Sequence, residues 1–184
     1  MSAQIGDVCK YVNKNYDVLA IEKEFLFNPR EYKLNLRPHS ACWRGYYGEF
    51  SFNKKKLTLN NLCVYSPEDN PTIKGVKIRK KQGIFSDFGV YQNVNIVIDT
   101  SGYILIARDF LPEYYASFGK QTPLMYETVY ELKLNNGEIV ETVDLSDQLK
   151  DLRNLYGVYH YDNEIKEKVR LDIKKILKGV YKEI

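Results

Sequence analysis

Tyr126-Glu127-Thr128-Val129-Tyr130-Glu131-Leu132-Lys133-Leu134-Asn135-Asn136-Gly137-Glu138-Ile139-Val140 is the stretch that decides the fold. Tyr126, Thr128, Tyr130, Leu132 and Leu134 recur at every second position, the period of a strand whose side chains alternate between two faces. Asn135-Asn136-Gly137 then brings the residues that tolerate positive φ, as a type I′ turn requires at both central positions. Ile139 and Val140 begin the return. The stretch is expected to be a β-hairpin.

Similar patterns extend in both directions. Asp7 to Val12 alternates, Asn13-Lys14-Asn15 offers a turn, and Tyr16 to Ala20 returns. Glu31 to Leu36 alternates through Tyr32, Leu34 and Leu36 and stops at Arg37-Pro38. Trp43 to Phe52 reads as a strand, with a turn at Asn53-Lys54-Lys55. Its return carries Leu57, Leu59, Leu62 and Val64, and Asn60-Asn61 breaks the parity as a bulge would. Val94, Ile96 and Ile98 lead through Asp99 to Gly102 into Tyr103 to Ala107, a further expected hairpin.

After Leu145 the period lengthens. Ser146 is an expected N-cap for a short helix through Leu149 and Leu152, ended by Gly157. Asp162 is placed to cap a longer helix whose apolar stripe is Ile165, Val169, Ile173, Ile176, Val180 and Ile184. The fold expected is α+β: about eight to ten mainly antiparallel strands in a curved sheet or open barrel, with two C-terminal helices packed on it. One domain is expected over 1–184, with 1–145 the β-rich body and 146–184 the helical element.

The 27 basic and 24 acidic residues leave a charge of +3, too little by itself to imply a polyanionic partner. Cys9, Cys42 and Cys63 are odd in number and far apart, and no secretory pattern opens the chain. A cytoplasmic location with three buried thiols is the expectation. No apolar run approaches the roughly 18 residues of a membrane span, so no membrane association is expected. Three cysteines and two histidines without finger spacing make a zinc site unexpected. No phosphate loop or dinucleotide fingerprint is present, and no cofactor is expected. The sixteen tyrosines, against eight phenylalanines, accompany abundant Lys, Asn and Ile and suit half-buried sheet faces.

The densest constellation is His39-Ser40-Ala41-Cys42-Trp43-Arg44-Gly45-Tyr46-Tyr47-Gly48. Its Ser-x-Cys-Trp-Arg-Gly-Tyr motif, followed by an aromatic strand, a turn and Leu57-x-Leu59, resembles an uncharacterised bacterial protein family. Gly83 to Phe88, Gly102, Tyr126-Glu127 and Gly137 follow in a similar order, so the likeness covers about residues 7–145. Phe88 stands where that pattern has tryptophan, and Asp109 to Pro123 is longer. The resemblance implies no activity and transfers no catalytic residue.

Read by its chemistry, Cys42 is a buried thiol rather than a nucleophile, because His39 lies three residues away in an expected extended segment. With Trp43 directed into the core, Arg44 would face solvent or a pocket and bind a carboxylate or phosphate, or else pair with Glu49 or Asp87. Trp43, Arg44, Tyr46 and Tyr47 are the candidate ligand- or partner-binding residues. The run 74–81 reads as one strand with Val76 and Ile78 inward; Lys77, Arg79, Lys80 and Lys81 are candidate phosphate contacts or edge guards. The leading expectation is a non-catalytic protein-binding module, in a bacterial defence or toxin-neutralising setting. A small-molecule site or enzyme around Arg44 and Tyr46 is the first alternative, and nucleic-acid binding through 74–81 the second.

Overall fold

The computed structural model describes residues 4–83, 86–115, 121–158 and 163–182. Among them the strands are β1 (Val8–Tyr11), β2 (Lys14–Ile21), β3 (Tyr46–Asn53), β4 (Lys56–Tyr65), β5 (Arg79–Lys80), β6 (Phe88–Tyr91), β7 (Ile96–Val97), β8 (Gly102–Phe110), β9 (Tyr126–Asn135) and β10 (Glu138–Asp144). Two helices follow, α1 (Ser146–Tyr156) and α2 (Asn163–Ile176).

The sheet runs β10-β9-β8-β2-β1-β3-β4-β6-β5, with β7 also on β4. It curls until β10 meets β4 through the single register pair Glu138↔Lys56. The result is curved and ring-like without being an evenly closed barrel. Most pairings are antiparallel, as expected, but β1 and β3 are parallel, Val8 lying opposite Glu49. Parallel neighbours need a long crossover. Here the chain between β2 and β3 supplies it and buries Leu26 and Phe27 in the ring's core.

Strand alternation explains two apolar layers. Ile104 and Ile106 of β8 point into the ring with Phe50, Leu57 and Leu132. Leu105 and Ala107 point outward, under Leu149 of α1 and Val169 and Ile173 of α2. Burial on both faces is why Ile104 to Ala107 reads as a continuous apolar run. In β4 a bulge at Asn60 lets Leu57 and Leu59, then Leu62 and Val64, all face inward. Tyr47, Cys63, Phe88 and Val90 form a smaller cluster on the outer surface.

The β9–β10 hairpin turns at Asn136 and Gly137, with φ of 47° and 77°. A Cβ on Gly137 would lie 2.2 Å from Ile98 O, so the backbone approach as well as the turn requires glycine. The first hairpin turns at Val12-Asn13, earlier than expected, and β2 already begins at Lys14. The β3–β4 turn sits at Lys54-Lys55.

Several expected elements differ. The Glu31–Leu36 alternation is not a strand: Pro29–Tyr32 is a 3₁₀ turn and Lys33 is left-handed. Tyr32, Leu34 and Leu36 still pack on the core, so the period reports burial without a sheet partner. Ile96 of β7 pairs with Leu59 of β4, whereas β8 lies between β2 and β9. The expected hairpin through Asp99–Gly102 is thus a crossing between distant strands.

Ser146 is the first residue of α1 rather than its N-cap; its Oγ accepts from Val129 N (3.1 Å), tying the helix to β9. Gly157 terminates α1 as expected. The stripe of α2 holds through Ile176, where the helix ends; Val180 is 77% exposed and Tyr181 takes the buried place. Asp162 and Ile184 lie outside the described residues. Among the described residues no helix is long and apolar enough to cross a membrane.

Candidate functional site

Ser40 and Ala41 form a tight turn that pairs His39 with Cys42 by two backbone hydrogen bonds, 3.0 and 2.9 Å, in place of the expected extended run. The Cys42 thiol donates to Tyr46 O (3.3 Å), while His39 Nδ1 accepts from Ala41 N (3.2 Å). Burial raises the Cys42 pKa against the opposing charge of Arg44. Both groups are committed locally, an arrangement suited to packing rather than to thiolate chemistry. Among the described residues no cluster of three or more His, Cys, Asp or Glu could hold a metal ion.

Gly45, with φ of 73°, crosses so close to Arg37 that a Cβ would lie 2.4 Å from its carbonyl oxygen. That turn sets the directions of its neighbours. Arg44 reaches Asp7 with two parallel bonds, Nη1 to Oδ2 at 3.0 Å and Nη2 to Oδ1 at 2.9 Å. Gly48 N also donates to Asp7 Oδ1 (2.7 Å). Neither Glu49 nor Asp87 is the partner: Glu49 accepts from Asn61 Nδ2 instead. Burial alone would lower the Arg44 pKa, but the Asp7 charge and hydrogen bonds outweigh it and raise it. The guanidinium lies 4.8 Å over the Tyr46 ring.

The four candidate binding residues therefore separate. Trp43 is 53% exposed, opposite to the inward placement expected. Arg44 is half-buried and pinned. Tyr46 is buried with its hydroxyl on Phe27 O (3.1 Å), and Tyr47 is buried in the outer cluster. Burial pushes both phenols up to about 12.

The basic run is not one strand. Ile73 pairs with Val76 around Lys74-Gly75, and only Arg79–Lys80 is strand, at the sheet edge beside β6. Lys77 and Arg79 are exposed. Lys80 pairs with Glu68 (3.6 Å), and Lys81 Nζ donates to Tyr47 Oη (2.7 Å). Val76 and Ile78 are half-buried on the core, as their parity implied.

Beside Trp43 and Arg44 lies a cleft of about 530 Å³. Its origin is a divergence of chains. β1 follows β2 only to Val8↔Asp17, with Val18 N bonded to Asp7 O (2.9 Å). The segment before it leaves towards Ala41, whose carbonyl accepts from Ile5 N (2.7 Å). Val8, Val18 and Ala20 line the gap, and Phe110 (39% exposed) and Tyr115 (46%) join Trp43 around it. Asp7, Phe110 and Tyr115 escape sequence reading. Asp7 is 37 residues from its arginine, and the two aromatics have no periodic context.

Comparison with protein-family models, with curated proteins and with solved structures gives no match to this chain.

Proposed function

We propose that the chain is a protein-binding module that recognises its partner through the cleft beside Trp43. The observation that carries this reading is the group of exposed aromatics, Trp43, Phe110 and Tyr115, around one apolar-lined gap. Large aromatics and arginine are the side chains on which interface energy concentrates, especially at a concave site. The Asp7 fork holds Arg44 rigid beside Trp43, which reduces the ordering cost of binding. Neutralisation of a toxin in a bacterial defence system is one form of this reading.

A small-molecule site is the second reading, favoured by a volume inside the roughly 300–1,000 Å³ range of ligand pockets. Arg44 retains N–H donors beyond the two bonded to Asp7, enough for an anionic head group. Nucleic-acid binding has less support, since Glu68 and Tyr47 engage two of the four candidate cations.

A photo-crosslinking phenylalanine derivative at position 43, in cells producing the protein, tests the proposal. A discrete protein adduct is expected there and not from position 97, where Val97 of β7 is comparably exposed but does not line the cleft. Equal labelling at both positions, or no adduct at 43, rejects it.

A further inference from the structure

The cleft has a main-chain side that the aromatic rim does not explain. Beyond Val18, β2 pairs on one side only, with β8: Ala20↔Leu105 and Ile21↔Ile104. Glu22 continues that pairing, its N–H donating to Tyr103 O (2.9 Å). In an antiparallel ladder successive residues turn their N–H and C=O groups to opposite sides. The main-chain groups of Ile21 therefore face the cleft, and Lys23, in the bend just past the end of β2, lines the cleft as well. No described strand runs on that side, because β1 has already ended.

Open edges are normally guarded by charge, and β5 is guarded in this way by Arg79 and Lys80. The half of β2 that β1 leaves unpaired is not. Leu19, Ala20 and Ile21 are all uncharged, with Asp17 before them and Lys23 after them along the chain, both lining the cleft.

We propose that an extended segment of a partner protein adds to β2 as a strand, bonding to the main chain of Ile21 and Lys23. This rests on the reading of the cleft as the partner surface. The span from Leu19 to Lys23 takes about four residues at ~3.3 Å each. The segment that matches has an uncharged middle, a basic residue towards Asp17 and an acidic residue towards Lys23. Main-chain bonds supply the affinity and alternate side chains meet the aromatic rim, as in other strand-addition complexes.

The probe is a displayed library of random dodecapeptides, selected on the intact protein and re-synthesised. Selected peptides are expected to lose binding when alternate amides are N-methylated and to keep it when the intervening ones are. On saturation the Ile21 and Lys23 amides exchange at least about tenfold more slowly with solvent. Lys23→Pro removes an N–H that donates no bond among the described residues, and weakens binding about tenfold or more; Lys23→Ala changes it less than about threefold. The methylation series uses the native protein, so it decides the matter even where the proline variant is unstable.

Binding that is weakened by Trp43→Ala but shows no alternation in the methylation series keeps the cleft as the partner surface and overturns strand addition. Binding indifferent to both overturns both. Recovery of no peptide, or a resting dimer whose Ile21 and Lys23 amides are already protected, also overturns strand addition.

Discussion

The carboxylate of Glu131, on β9, accepts a 2.9 Å hydrogen bond from the hydroxyl of Tyr181, 50 residues further along the chain. The same carboxylate accepts from Lys178 N (3.0 Å to Oε2) and Gly179 N (2.9 Å to Oε1). Glu131 is fully buried, and it fastens the segment after α2 to the outer face of the sheet. Glu22 assists from β2's end by accepting from Val180 N (3.1 Å) and Tyr103 N (3.1 Å).

Glu131→Leu leaves three donors without their acceptor and is expected to destabilise the protein by about 3–5 kcal/mol. Glu131→Gln retains one acceptor oxygen and should cost less, about 1–2 kcal/mol. Urea unfolding followed by far-ultraviolet circular dichroism measures both. A Glu131→Leu midpoint equal to wild type would show that the carboxylate does not hold the segment.

The Arg44–Asp7 fork is a joint between the Trp43 turn and the start of β1. Asp7 is buried, while the arginine side chain is about a third exposed, so water screens part of the loss when the pair is broken. Asp7→Ala and Arg44→Ala should each cost about 2 kcal/mol, with a coupling of at least about 1 kcal/mol in a double-mutant cycle. Arg44→Lys cannot form the two parallel bonds and should recover little of the loss. Additive single effects would refute the joint.

Gly137→Ala places a methyl against Ile98 O and imposes a left-handed backbone on alanine. A loss of at least about 2 kcal/mol is expected. Thermal unfolding of this variant beside Gly83→Ala, a glycine of similar φ with open space around it, separates the collision from the backbone term.

Burial, with a smaller push from Asp7, raises the Cys9 thiol from 9.0 to about 12. Between those values the unfolded chain has lost the proton and the folded one keeps it, so stability is complete below about pH 9 and falls as pH rises towards 12. The raised Tyr46 and Tyr47 phenols act in the same direction from about pH 10 upward. The melting temperature should decline from pH 8.5 to 11, and more gently in Cys9→Ala. Identical slopes would mean that the thiol ionises equally in both states.

Local patterns carried much of the fold. Asn136-Gly137 fixed one hairpin because its turn chemistry is decided within two residues, and the Asn60 bulge was legible as a break in parity. Pairing between distant strands was not legible. Ile96 shows the burial period of a strand whether its neighbour is β4 or β8, and nothing local distinguishes them. The parallel β1–β3 pair was hidden for the same reason. In the candidate site, the run around Trp43 and Arg44 stood out by composition. Its geometry did not, because the chain turns at Gly45 against Arg37 where an extended run was expected, and Arg44's partner lies 37 residues away in a stretch legible only by its strand period.

The sheet's circuit shuts on one pair, Glu138 with Lys56, reinforced by Leu57 N donating to Gly137 O at 2.8 Å. Every other joint round the circuit is a longer ladder, so this latch at the hairpin tip is where opening is expected first. Opening there would separate β10 from β4 without breaking a pairing of the β2–β8–β9 platform that α1 and α2 cover. Neither latch residue lines the cleft beside Trp43, so opening there would leave that cleft's lining in place.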